Sequence, residues 1–203
     1  MSQVFNKKLY SFAQLFKFIK VLIRTIRYKK KGLISNSFEK RILLTVTEVN
    51  GCEMCSYGHS TDALKEGMPE KDIHEMLTGN LKNVPQDESV ALFFAQHYAD
   101  NNGNPTEVAW ERVLENYGKK KALCILAIIR TIMVGNTVGI ALGAFINRIK
   151  GKSVKKSSLI YELQILLSLI PFLIISFFIA VWKRFTKQPI IQFAVQKQKT
   201  IMV

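Results

Sequence analysis

Two cysteines and a histidine, Cys52, Cys55 and His59, fall within the thirteen-residue stretch EVNGCEMCSYGHS. In the first turns of a helix, thiols three residues apart share one face within disulfide reach, and an imidazole four residues later stacks one turn on. Such a trio can act as a dithiol with its own base. A helix N-terminus favours the thiolate, lowering a thiol pKa from about 8.5, and the imidazole can accept the proton. A thiolate attacks a peroxide, and the second thiol then closes on the sulfenic acid to give a disulfide. Two other readings stay open. Zinc would take Cys52, Cys55 and His59 as three ligands, but a structural site needs four, and no second C-x-x-C or H-x-x-x-H follows. His74, His97 and Cys124 are isolated candidates, so no metal is expected. The third reading is a pair of unreactive core cysteines.

The elements that must hold this trio are helical throughout. SFEKRILLTVTEVNG opens with a serine cap and an acid in the first turn, and becomes apolar on most sides after Arg41. STDALKEGMPEKDIHEMLTGN predicts a helix stopped at Gly67, a turn at Met68-Pro69 and a second helix ended by Gly79-Asn80. Helix and polar turn continue to alternate through residue 152, and strand-like alternation is absent. The fold class is therefore all-α. In the apolar run 122–146, Gly135, Gly139 and Gly143 recur every fourth residue, a smooth face that lets another backbone approach closely. Arg130 and Asn136 within that run favour a central core helix over a membrane span.

Charge divides the chain differently. Residues 1–36 carry nine Lys/Arg and no acid, residues 37–147 ten against fourteen acids, and residues 148–203 ten against Glu162 alone, within a net charge of +14. A mildly acidic body between basic ends argues against a nucleic-acid groove and for ends that meet anionic lipid. The first segment, residues 1–36, is a basic amphipathic helix with Leu9, Phe12, Phe16, Ile19, Ile23 and Ile26 along one stripe. It either packs on the domain or lies on a membrane surface, and Gly32 is its expected C-cap. Lysines interrupt any signal-peptide core, so no cleaved leader is expected. Ile165 to Trp182 holds eighteen residues without charge, which makes 159–184 a transmembrane or membrane-embedded helix, followed by a basic tail, 185–203. Three cysteines, an odd and small number, fit a reducing compartment. The expected location is thus membrane-associated, with the active domain facing the cytoplasm.

The stretch RILLTVTEVNGCEMCSYGHSTDALKEGMPEKDIHEMLTGN resembles the carboxymuconolactone decarboxylase family, in particular its alkylhydroperoxidase D-like branch, which carries C-x-x-C-x-x-x-H at the start of a helix. VGNTVGIALGAFINRIKGKS resembles that family's last core helix, so the likeness covers residues 37–152. The resemblance implies an all-helical, oligomeric domain with thiol-dependent peroxidase activity and no organic cofactor. It implies Cys55 as the peroxide-attacking thiol, Cys52 as its disulfide partner and His59 as part of a proton relay. The decarboxylating branch lacks the cysteine pair, so the dithiol argues against lactone decarboxylation. One departure matters: the branch carries a relay glutamate twelve residues before the first cysteine, where this chain has Lys40. Glu48, four residues before Cys52, is the carboxylate expected to take that role, with Glu39 the other candidate.

The expected function is therefore a peroxidase reducing hydroperoxides through Cys55, Cys52, His59 and Glu48. A dithiol reductant or electron-donor protein would re-reduce it, and a homo-oligomer and membrane lipid are its other expected partners. The alternatives are a disulfide reductase serving a partner protein, or a non-catalytic membrane-anchored interaction protein with structural cysteines.

Overall fold

Short polar residues and glycine set many of the helix ends, as N-caps and left-handed stops do. The computed structural model of this 203-residue protein describes residues 8–152, 154 and 156–194. Residues 1–7 of the expected N-terminal segment and 195–203 of the expected basic tail lie outside the described residues. Seven α-helices and one 3₁₀ turn make up the described chain, which contains no strand. They are α1 (Phe12–Thr25), the 3₁₀ turn Ile26–Tyr28, α2 (Asn36–Asn50), α3 (Glu53–Lys65), α4 (Glu70–Leu77), α5 (Gln86–Asp100), α6 (Glu107–Ile149) and α7 (Leu159–Phe185). The all-α expectation holds. α2 begins two residues earlier than its serine suggested, because Ser35, not Ser37, accepts the Phe38 N–H. α1 ends at Thr25, well before Gly32, and the 3₁₀ turn closes it.

α6 is the core helix. Gly118, at φ 66° and ψ 160°, breaks it near its start, a conformation a side-chain-bearing residue rarely takes. Beyond the break Ala122 to Ile129 is buried without interruption, because α1, α2, α3, α5 and α7 all pack against this helix. Arg130 is buried with it. Its guanidinium donates to the Tyr98 hydroxyl at 3.0 Å and to the carbonyls of Val21 and Ile190 at 3.2 Å. Hydrogen bonds of this kind compensate a charge removed from water, and here they tie the end of α1 and the segment after α7 to the core.

Of the two placements weighed for α1, the structure has the packed one. Leu15, Phe18 and Ile19 are buried, while Phe12 and Phe16 set their rings against Phe172 of α7 at 4.5 and 4.8 Å. Lys17 donates to the Asn102 carbonyl at 2.9 Å and to Asn104 Oδ1 at 2.7 Å, so even the polar face is partly tied down.

α6 and α7 are both long and apolar enough to cross a membrane, but 83 % of the most apolar stretch of α6 is buried against 22 % for α7. α7 buries Glu162, Ile165, Ser168, Phe172 and Ser176 and leaves Ile160, Leu167, Ile170, Phe178 and Trp182 bare. Both its ends are fastened to the domain. Glu162 accepts from Arg148 at 2.9 and 3.0 Å, and the Tyr161 hydroxyl donates to the Tyr10 carbonyl at 3.0 Å. At the far end Arg24 donates to the carbonyls of Gln188 and Pro189 at 2.8 and 2.7 Å, and Ala194 N–H donates to the Pro105 carbonyl at 3.0 Å.

Candidate dithiol site

Gly51, left-handed at φ 68°, ends α2 and turns the chain so that Cys52 becomes the N-cap of α3. The Cys52 sulfur accepts the Cys55 backbone N–H at 3.3 Å. A helix start supplies such donors and the positive end of the helix dipole, both of which favour a thiolate. Cys52 and Cys55 are joined in a disulfide. The two sulfurs are unequal in access: Cys52 is fully buried and Cys55 is half-buried.

The glycine stripe of α6 receives this turn. A Cβ on Gly139 would lie 2.5 Å from Cys55 Sγ and 2.9 Å from Cys52 Sγ, and one on Gly143 would touch Met54 at 3.8 Å. Cys55 Sγ also lies 3.9 Å from the Gly135 carbonyl oxygen. The close backbone approach inferred from the four-residue spacing is thus made by the dithiol turn itself.

A cavity of about 430 Å³ opens on the Cys55 side, lined among others by Cys55, His59, Glu39, Lys29, Thr131 and Gly135. Lys29 Nζ and Glu39 Oε1 are 2.7 Å apart. His59 sits one turn beyond Cys55, its pKa pushed below the ordinary value by partial burial and then by the nearby Lys40 charge, with Asp62 opposing. Both causes favour the neutral ring over the imidazolium. Lys40, at the position where the resemblance expects a glutamate, instead pairs with Asp62 at 3.2 Å.

Glu48 is not brought to this cavity. Its carboxylate lies over Gly79, 3.7 Å from where a Cβ would stand, and its pKa is raised by burial and by Asp100, with Lys8 opposing. The reason is helical phase. At about 100° per residue, the nine steps from Glu39 to Glu48 come to roughly two and a half turns, so the two side chains leave α2 on opposite sides. Leu43, four residues from Glu39, lines the cavity as that phase requires. Of the two candidate carboxylates, Glu39 lines the cavity on which Cys55 opens and Glu48 does not. Lys29 was not singled out at all, since its run of basic residues carries no sign of where the chain folds back.

The remaining isolated candidates are placed elsewhere. His97 Nε2 accepts the Thr106 N–H at 3.1 Å, His74 is exposed on α4, and Cys124 is buried with its sulfur 3.9 Å from the Lys30 carbonyl. Among the described residues no cluster of three or more His, Cys, Asp or Glu is arranged to hold a metal ion.

No family model matches the chain, and no solved structure matches it. It is similar to the uncharacterized protein YdfG of Bacillus subtilis (strain 168), 27% identical over 128 residues, which covers 62% of this chain and 86% of that protein.

Proposed function

We propose that the protein is a membrane-attached dithiol peroxidase of the alkylhydroperoxidase D-like kind. The observation that carries this reading is the asymmetry of the dithiol: Cys55 opens on a cavity shared with His59 and Glu39, while Cys52 is buried behind it. In the reduced protein His59 takes the Cys55 proton. The thiolate attacks one peroxide oxygen, the O–O bond breaks, and the departing alkoxide takes a proton to leave as an alcohol. Cys55 is then a sulfenic acid. Cys52 attacks its sulfur, the S–O bond breaks, and hydroxide leaves with a proton as water, giving the Cys52–Cys55 disulfide. Two electrons from an external dithiol restore the thiols. Glu39, which lines the same cavity as His59 and is paired with Lys29, is the carboxylate available to the relay in this scheme, rather than Glu48.

Attachment rests on α7. With both ends fastened to the domain, the helix suits embedding its bare face in the plane of the membrane, on the cytoplasmic side, better than crossing it. A homo-oligomer and a dithiol electron donor complete the proposal. A disulfide reductase acting on a partner protein is the second reading, favoured by the exposed Met54 and Tyr57 beside the disulfide.

The deciding experiment is consumption of dithiothreitol by the purified full-length protein, with and without hydrogen peroxide or an organic hydroperoxide. Peroxide-dependent, saturable consumption is expected. Consumption that needs a protein disulfide and ignores peroxide would favour the reductase, and none with either would leave the cysteines structural.

A further inference from the structure

A cleft of about 440 Å³ lies between the C-terminal ends of α1 and α7. Its apolar wall is built from Ile23, Phe177 and Val181, and it opens beside the bare face of α7. Five cations line the same cleft: Arg24, Arg27, Lys183, Arg184 and Lys187. No acid lines it among the described residues, and none occurs anywhere in residues 8–36. The single acid of α7, Glu162, is at the opposite end of that helix and already paired with Arg148. Arg24 is held by two carbonyls, and burial together with the Arg130 and Arg27 charges lowers its pKa. The cluster therefore lacks a counter-charge of its own.

Like charges gathered without an acid call for an anion. A small hydrated anion would satisfy the cations and leave the apolar wall wet. An amphiphile satisfies both, and the bare face of α7 continues the apolar wall outward.

We propose that this cleft binds one anionic phospholipid, its phosphate held among Arg27, Lys183, Arg184 and Lys187 and its acyl chains running along Ile23, Phe177 and Val181 onto α7. The site does not depend on the dithiol chemistry. It goes further than membrane attachment, which needs no headgroup selectivity.

Native mass spectrometry of the full-length protein in an uncharged detergent, given equal amounts of phosphatidylglycerol and phosphatidylcholine, tests it. Phosphatidylglycerol should be retained at least tenfold in preference. The triple variant Arg27→Gln, Arg184→Gln, Lys187→Gln alters exposed side chains and should lose that preference. A control triple, Lys65→Gln, Lys71→Gln, Lys82→Gln, removes equal charge beside α3 and α4 and should keep it. Millimolar inorganic phosphate should fail to displace the lipid. Equal retention of both lipids by a protein that still fractionates with membranes would overturn the site while leaving attachment intact. Equal loss in both triples, or full displacement by phosphate, would also overturn it.

Discussion

At the scale of single residues, access separates two chemically identical thiols. Cys55→Ser is expected to abolish peroxide reduction, whereas Cys52→Ser should still consume one equivalent and stall as a sulfenic acid, seen by mass spectrometry after dimedone trapping. First oxidation on Cys52 would reverse the roles. General acid–base assistance contributes on the order of 10²–10⁴ in rate, so Glu39→Gln should slow thiol oxidation at least tenfold. Glu48→Gln, on the far side of α2, should leave it unchanged; stopped-flow oxidation of both variants decides between the two carboxylates. The pH dependence follows from His59. Its pKa lies below the ordinary value, so the ring accepts protons down to a lower pH, and the acid limb of the rate profile should fall below about pH 6.5. Removing the Lys40 charge in Lys40→Gln relieves one cause of that shift. The His59 pKa, followed by NMR, should then rise and carry the acid limb with it. The cysteine pair and His59 were legible in the sequence because their spacing within one helix carries the geometry. Glu39 was legible only as one of two candidate carboxylates and Lys29 not at all, since their meeting depends on the phase of α2 and on how the chain after α1 folds back.

At the scale of elements, turn chemistry made most helix boundaries readable: Gly51, Gly67 and Gly79 each stand just past a helix. Packing partners were harder to read. The four-residue glycine spacing announced a close approach, but any backbone would have answered that description. In the structure the neighbour is the disulfide, which makes Gly139→Ala a sensitive test. Alanine should add about 1 kcal/mol of helix propensity, yet its methyl would overlap both sulfurs, and overpacking costs about 1–3 kcal/mol. The oxidised protein should therefore be the more destabilised form. Thermal unfolding of the variant is expected to show a larger loss in the disulfide state than in the reduced state; an equal loss in both would mean that the α3 turn shifts away at no cost to the bond. The basic stripe of α1 likewise carried two placements equally well. What selected packing was Phe172, more than 150 residues away in a helix whose amphipathic face is visible only once α1 covers it.

At the scale of the whole molecule, the placement of α1 along α7 bears on how the proposed attachment to a bilayer would be made. A spanning α7 that kept its packing would carry Lys17, Lys20 and Arg24 into hydrocarbon, at about 2.5–3.5 kcal/mol each on insertion scales. We therefore expect both ends of α7 on one side. Single cysteines at Lys156 and Lys187, in a Cys52→Ser, Cys55→Ser, Cys124→Ser background, should react with a membrane-impermeant maleimide from the same side of sealed vesicles; reaction from opposite sides would mean that α7 leaves α1 and spans. Removing everything after Gly151 should release the protein from membranes except for a salt-sensitive remainder, and should lower the unfolding temperature by uncovering Phe12 and Phe16. The contact between Tyr10 and Tyr161 closes 151 residues of chain. Closing so long a loop costs about 4–5 kcal/mol beyond a constant, and at ribosomal speeds the second half of that contact is made roughly 8–30 s after the first. Through that interval α1 has α6 but not α7 to pack on, and the rings of Phe12 and Phe16 wait bare, beside a row of lysines, for the last helix to arrive.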